Sequence, residues 1–134
     1  MTARARGTDL PTSVGSVRLP NPIMTASGTS GHGAELADHF DLADLGAVVV
    51  KSLHPDPWDG NPPPRVHATP AGMINSVGLQ GPGVSAWLEE DLPALVASGA
   101  RVVASIWGRT VDEFARAASL LADTPSQVVA VEVN

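Results

Sequence analysis

The chain has 134 residues, enough for one domain with a real core, and its 43% hydrophobic and 16% charged residues are typical of globular proteins. A net charge of −6 argues against a general nucleic-acid surface. Without cysteine these residues cannot form a disulfide, a thiolate metal site or a cysteine nucleophile, and no apolar run approaches the ~20 residues that span a membrane.

The N-terminus, residues 1–12, is predicted to be a flexible tail. It carries two arginines but no apolar stretch of the kind that secretory signals contain. A cytoplasmic protein is therefore expected. Residues 13–134 are predicted to form one domain.

The domain is predicted to begin with a short β-hairpin. Its turn falls at residues 20–22, which read Pro-Asn-Pro, and its second strand covers residues 23–26. A helix should follow Gly31 and Gly33, with Leu36, Ala37 and Phe40 on one face. Gly46 then stands where a glycine commonly follows a helix.

A β-branched run at residues 47–51 is typical of a strand buried on both faces. Residues 53–83 that follow are rich in proline and glycine and show no clean period, so they are predicted to form a long irregular loop. Loops of this length in compact domains are usually functional or disordered. Four apolar residues favour the functional interpretation: Met73, Ile74, Val77 and Leu79.

The second half alternates helices and strands. Apolar residues between Val84 and Val96 recur at helical spacing, and Pro93 should split or kink that helix. Residues 102–106 and 128–133 are predicted strands. Between them, Thr110 and Glu113 form a capping box that opens a helix, whose apolar face is predicted to carry Val111, Phe114, Ala115, Ala118 and Leu121.

This order, β-α-β-loop-α-β-α-β, predicts about four parallel strands with helical crossovers, either in an open sheet or in part of a (β/α)8 barrel. Ligands bind at the carboxyl ends of the strands in both architectures. Those ends are predicted at residues 27–28, 51–52, 105–108 and 134. Because a barrel of this type has about 250 residues, the sequence is interpreted as a first half.

Lys51 and Asn75 are the polar residues that most need an explanation. Lys51, the only lysine, follows a buried strand, where it either extends to water or holds an anionic ligand. Asn75 lies among apolar residues and either caps local turns or pairs with something bound.

Other polar and aromatic residues carry weaker signals. The four histidines lack the spacing of metal ligands, so no metal site is predicted. Glu89, Glu90 and Asp91 are expected on a solvated helix face. Trp87 is expected in the core, whereas Trp58 and Trp107 could line the rim or the core.

Several stretches together resemble one family. They are residues 21–29, 45–51, 60–65, 69–80, 82–83 and 131–134. From about residue 17 onward, the chain resembles the N-terminal half of class 1 dihydroorotate dehydrogenases, most specifically in GNPPPR at 60–65 followed by NSVGL at 75–79. The resemblance implies an FMN-containing (β/α)8 barrel that oxidises dihydroorotate to orotate in pyrimidine synthesis.

The resemblance also implies roles for single residues. FMN contacts are expected from Ser27, Lys51, Ser52, Ser105 and Asn134. Substrate contacts are expected from Lys51, Asn75, Ser76, Val77, Gly78, Leu79 and Asn134, with the Asn75 amide on the pyrimidine ring. Lys51 would lie between flavin and substrate, where a fixed cation stabilises charge on the reduced flavin.

Two features depart from the family pattern. Ser105 occupies a position that many class 1B members fill with asparagine, beside the bulky Trp107. The family's base is a cysteine in a loop that would follow Asn134, so no catalytic residue is predicted within the chain. Turnover by these 134 residues alone is therefore not expected.

The class 1B likeness implies a partner subunit that carries FAD and an iron–sulfur cluster and passes electrons to NAD. A homo-oligomer is also expected. Two alternatives remain open: a non-catalytic half-barrel that buries its open edges by self-association, and a related flavin-dependent dihydropyrimidine dehydrogenase.

Overall fold

A parallel sheet forms the centre of the computed structural model, which describes residues 10–134. The sheet has the strand order β3 (Val48–Val49), β6 (Val102–Ile106) and β7 (Val128–Val133). An isolated parallel bridge from Met24 to Ala47 continues the pairing beyond β3. The predicted α/β class with a parallel sheet is thereby confirmed.

Alternation along the central strands separates two faces of the sheet. Val48 and Val50, like Val102, Ala104 and Ile106, belong to one buried apolar cluster. The helices cover that face: α1 (Val84–Glu90), α2 (Leu92–Ala97) and α3 (Val111–Leu120). They contribute Val84, Trp87, Leu92, Leu95 and Ala117 to the same cluster. Side chains between these strand positions, including Ser105, therefore lie on the opposite face.

The N-terminal hairpin is shifted from its predicted place. Its strands are β1 (Thr12–Val14) and β2 (Val17–Leu19), which pair antiparallel around a two-residue turn. Gly15 has φ +57°, a conformation that short hairpin turns favour. Residues 1–9 of the predicted tail lie outside the described residues, whereas Thr12 already belongs to β1.

The predicted helix after Gly33 is replaced by two short 3-10 helices, Glu35–Asp38 and Leu42–Asp44. The Asp41 side chain accepts a hydrogen bond from Ala43 N, and such local capping starts a new turn instead of continuing a helix. Phe40 is exposed rather than packed. Gly46 is needed for close approach, since a Cβ there would lie 2.3 Å from Asn21 O.

The region predicted to be an irregular loop contains a second hairpin. Its strands are β4 (Val66–Thr69) and β5 (Gly72–Asn75), which pair antiparallel with Val66 opposite Asn75. The two four-residue runs flank Pro70 and Ala71, so the signal was present in the sequence but was hidden by the surrounding glycines and prolines.

The second half follows the prediction closely. The predicted break near Pro93 separates α1 from α2, and both hydrogen bonds of the Thr110–Glu113 capping box are present. The predicted face of α3 is confirmed in part: Phe114 and Leu121, the residue after the helix, pack against the core, whereas Val111 is 83% exposed and Ala115 and Ala118 are also exposed. Ala117, which was not predicted, is buried instead. No helix among residues 10–134 is long and apolar enough to cross a membrane.

Candidate functional site

Three polar side chains from three neighbouring strand ends meet at one edge of the sheet. Ser52 Oγ lies 2.9 Å from Ser105 Oγ, and the Asn134 side-chain amide donates to Ser52 Oγ over 2.9 Å. Ser52 and Ser105 are buried. We call these three residues the serine–asparagine cluster. It lies at the carboxyl ends of parallel strands, where such sheets bind ligands.

Backbone pairing beyond the strands brings the cluster together. Leu53 N donates to Ser105 O over 2.8 Å, and Trp107 N donates back to Leu53 O over 3.0 Å. Asn134 N donates to Ile106 O over 3.0 Å. The end of β6 therefore holds both neighbouring chain ends in parallel alignment, and the three side chains fall on one face.

Lys51 is an extra residue in this pairing. Val49 pairs with Val103, but Leu53 pairs with Ile106. The stretch after β3 therefore advances four residues while β6 advances three. Lys51 N donates instead to Gly31 O over 2.9 Å. Such an extra residue re-aims the side chains after it. Here it places Ser52, rather than Lys51, beside Ser105.

His32 shares the electrostatic environment of Lys51. Burial lowers the pKa of His32, and the positive charge of Lys51 lowers it further. The buried Nε2 of His32 has no hydrogen-bond partner in the described part of the chain. A Cβ added at Gly81 would lie 3.1 Å from that nitrogen. His32 and Gly81 also line an open cavity of about 540 Å³.

Ser27 lies three residues after Met24, which forms the parallel bridge to Ala47, and its side chain is half-buried. The chain around Met24 is held to β3 by Thr25, whose Oγ1 accepts from Val49 N over 2.8 Å and donates to Val49 O over 3.1 Å. Ser30 Oγ donates to the same carbonyl over 2.9 Å. Among the described residues, no hydrogen bond joins the Ser27 side chain to the serine–asparagine cluster.

The predicted substrate segment, residues 75–79, leaves the second hairpin at the end of β5. Asn75 is exposed, so it is not the buried amide that its apolar neighbours in the sequence suggested. No described hydrogen bond joins the side chains of Lys51 or Asn75 to the serine–asparagine cluster. Two residues beyond the segment, the chain comes close to the cluster: a Cβ added at Gly81 would lie 3.1 Å from His32 Nε2 and 3.9 Å from Ser52 O.

Residues 58–65 hold the substrate segment along its length. Asn61 N donates to Val77 O over 3.0 Å, and Asn61 Nδ2 donates to Ser76 O and Oγ over 3.1 and 3.0 Å. Trp58 and Gly81 exchange two backbone hydrogen bonds of 3.0 and 2.9 Å. Arg65 donates to Gln80 Oε1. We call residues 58–65 the clamp.

Two adjacent residues of the segment adopt left-handed backbone conformations. Gly78 has φ +80° and Leu79 has φ +58°. For a branched side chain this region is uncommon and costs roughly 1–3 kcal/mol, and residues held in this way cluster at functional sites. The Trp58 indole Nε1 donates to Gly78 O over 2.8 Å, at the turn itself.

The sequence interpretation assigned no site role to Asn61, Trp58 or Arg109. Asn61 belongs to the GNPPPR motif, so its position beside NSVGL was the available signal. The Arg109 guanidinium carbon lies 4.0 Å from the Trp58 ring centroid and 5.3 Å from that of Trp107. The sequence offers no spacing signal for that contact, because it joins two distant loops.

Comparison with known proteins identifies the family. The model of the family described as dihydroorotate dehydrogenase matches residues 9–134. The "dihydroorotate dehydrogenase B (NAD(+)), catalytic subunit" of Thermoanaerobacter pseudethanolicus is 51% identical over 113 residues, covering 84% of this chain and 37% of that protein. The protein of the same name from Desulforudis audaxviator is 51% identical over 121 residues, covering 90% and 39%.

A third relative of that name, from Geotalea uraniireducens, is 43% identical over 126 residues, which are 94% of this chain and 41% of the relative. The chain thus spans about two fifths of the length of the relatives it matches. The resemblance found in the sequence is confirmed: the chain belongs to the dihydroorotate dehydrogenase family.

Proposed function

We propose that the chain supplies the N-terminal half of the flavin and substrate site of an FMN-dependent dihydroorotate dehydrogenase. The observation that carries the proposal is the serine–asparagine cluster, in which the buried Ser52 and Ser105 and the exposed Asn134 meet at one edge of the parallel sheet. All three were expected at the flavin from the sequence. The family and the names of the relatives support the same activity.

The residues present fit a flavin. The flavin ring has a polar edge that alternates hydrogen-bond donors and acceptors, and serine hydroxyls and an asparagine amide can serve as either. Ser52 and Ser105 already face each other at 2.9 Å, so their hydroxyls are oriented before a ligand arrives. Ser27 would add a contact from the first strand end, and Asn134 would touch both flavin and substrate.

The remaining roles fall to Lys51 and the substrate segment. When bound, FMN supplies the acceptor for the hydride that leaves dihydroorotate. Lys51 would place a fixed positive charge between flavin and substrate. Asn75, Ser76, Val77, Gly78 and Leu79 would hold the pyrimidine ring, and the clamp orients their backbone. The base would follow Asn134, so the chain itself supplies binding and orientation.

The same proposal covers the larger assembly. The parallel strands would form the first part of a (β/α)8 barrel, and the exposed Val131 and Val133 of β7 would then lie beside its next strand. The relatives' names include NAD(+) and the words catalytic subunit. By the class 1B resemblance, a second subunit with FAD and an iron–sulfur cluster would accept the electrons and pass them to NAD. A homo-oligomer and a cytoplasmic location remain predictions.

Ligand titration tests the proposal directly. Titration of the purified protein with FMN, followed by quenching of flavin fluorescence, should show saturable binding. Addition of orotate, but not uracil, should then perturb the flavin spectrum. A preference for uracil would instead favour the dihydropyrimidine dehydrogenase alternative. Absence of flavin binding, together with a concentration-dependent dimer in sedimentation, would favour the self-associating half-barrel.

A further inference from the structure

We propose that Trp58 is a positioning residue for the substrate segment: its indole N–H holds the left-handed turn at Gly78 and Leu79, and Arg109 holds the indole. The inference rests on the proposed function, since it assigns the turn to pyrimidine binding. Trp58 Nε1 donates to Gly78 O over 2.8 Å. Neither Trp58 nor Arg109 was among the residues expected at the site.

The turn needs an external partner. Gly78 and Leu79 both have positive φ, and at Leu79 the side chain makes that conformation unfavourable. A strained conformation persists only where the surrounding structure fixes it. Trp58 contacts the turn on two sides, through Nε1 at Gly78 and through its two backbone hydrogen bonds with Gly81. Residues 78–81 are thus tied to one tryptophan.

Steric limits show how closely the clamp and the turn fit. A Cβ added at Gly60 would lie 2.4 Å from Val77 O, and one added at Gly78 would lie 2.7 Å from the Asn61 side chain. The two chains therefore approach as closely as their backbones allow. In such a fit, a hydrogen bond at Gly78 determines where the neighbouring Val77 and Leu79 are placed.

Arg109 links this turn to the end of β6. Its guanidinium carbon lies over the Trp58 ring, 4.0 Å from the centroid, and over the Trp107 ring, 5.3 Å from the centroid, so one cation is within cation–π range of two indoles. Trp107 is buried and follows the strand that carries Ser105. Arg109 N also donates to Glu113 Oε2. The substrate segment and the serine–asparagine cluster are therefore connected through Trp58, Arg109 and Trp107.

The first measurement is amide hydrogen exchange in the 134-residue chain. Trp58→Phe keeps a ring beneath Arg109 but removes the N–H donor. Exchange at the amides of Asn61 and Gly81, which bond across the clamp, should accelerate roughly 2- to 10-fold, as expected for one lost hydrogen bond. Arg116→Gln is the matched control, because it breaks the Asp56 ion pair in the same loop without reaching Gly78. Unchanged exchange in Trp58→Phe would overturn the inference.

The second measurement is orotate affinity in a family-length catalytic subunit carrying these residues. Trp58→Phe should raise the orotate Kd roughly 2- to 10-fold and KM more than kcat, with flavin content unchanged. Arg109→Met, which keeps the indole donor, should give a smaller shift of roughly 2- to 5-fold in the same direction. Arg116→Gln should leave the orotate Kd unchanged.

The outcomes separate this inference from the proposed function. If exchange accelerates but the orotate Kd of both variants equals that of the unmodified enzyme, the positioning role is wrong. If the unmodified enzyme binds no orotate, the proposed function fails, and with it the assignment of the turn to pyrimidine binding. If Trp58→Phe shows no cooperative thermal transition, Arg109→Met serves as the test of the positioning role. Faster amide exchange and weaker orotate binding in Arg109→Met would support that role. Unchanged exchange and binding would overturn it.

Discussion

The Asn134 amide donates to Ser52 Oγ over 2.9 Å, although 82 positions separate the two residues. Ser52 Oγ also pairs with Ser105 Oγ, so one hydroxyl serves two neighbours. We expect Ser52→Ala to weaken FMN binding roughly 2- to 10-fold, because Asn134 loses its acceptor and Ser105 loses its partner. Fluorescence titration with FMN measures the change.

Ser119→Ala provides the control for that experiment. Its hydroxyl donates to Ala115 O within α3 and is exposed, so FMN affinity should not change. Equal FMN affinity for Ser52→Ala and the unmodified chain would show that the serine–asparagine cluster does not contact the flavin.

The positive charge of Lys51 should be measurable at His32. Since Lys51 contributes to the lowered pKa of His32, Lys51→Met should raise that pKa. NMR titration of the His32 ring protons gives the value, with Arg18→Met on β2 as the control. A lowered folded-state pKa means that His32 binds its proton more weakly than in the unfolded chain. A fall of pH through the ordinary histidine pKa of 6.5 therefore favours unfolding, and Lys51→Met should reduce this acid sensitivity.

An unchanged or lower His32 pKa in Lys51→Met would mean that the two side chains do not interact. The acid sensitivity would then have another source.

The Thr25 hydroxyl should contribute to the free energy of unfolding through its hydrogen bonds to the Val49 backbone. Thr25→Val leaves Val49 N without its side-chain acceptor, while Ser30 still bonds to Val49 O. We expect a loss of about 1–3 kcal/mol in the free energy of unfolding, the cost of an unsatisfied buried donor. Urea denaturation measures it. Thr29→Val, which removes an exposed local hydrogen bond to Ala26 O, should cost about 0.5 kcal/mol or less. Equal losses would contradict the prediction.

Glu113 should make the start of α3 sensitive to acid. Its carboxylate accepts from the backbone N–H of Arg109 and of Thr110, and these bonds lower its pKa below the ordinary value of 4.5. The stabilisation is complete above the unfolded-state pKa and is lost as pH falls through the lower folded-state value. The stability advantage over Glu113→Gln should therefore shrink below pH 4.5.

Glu89→Gln on the exposed side of α1 is the control in a series of urea titrations across acidic pH. A stability difference between Glu113→Gln and the unmodified chain that does not vary with pH would refute the mechanism.

Local signals predicted the second half of the fold well. The capping box at Thr110 and the β-branched strands β6 and β7 depend on residues close in sequence, and all three formed where expected. The first half was less predictable. Its hairpin, its 3-10 helices and the packing of Gly46 depend on which distant backbone comes near, as with Asn21 O at Gly46.

The candidate site also has a part that the sequence predicted and a part that it did not. The strand order predicted that the chain ends carrying Ser52, Ser105 and Asn134 would meet, because parallel strands place their carboxyl ends together, and the three side chains do bond to one another. The spacing of apolar residues did not predict that Asn75 is exposed or that the Trp58 indole donates a hydrogen bond to Gly78 O. Both depend on the course of the β4–β5 hairpin and on the clamp, which are set by tertiary pairing.

Because one extra residue lies between Val49 and Leu53, the number of residues at this point matters as well as their type. Substitution of Lys51 removes a charge but keeps the count, so Ser52 stays beside Ser105. Deletion of Lys51 would restore even pairing, in which Ser52 lies opposite Ser105 and Leu53 opposite Ile106, so both side chains would keep the faces that they occupy now. A homologue one residue shorter here would have a single position between Val50 and Leu53; it would keep the cluster only with serine at that position, and it would then lack the lysine.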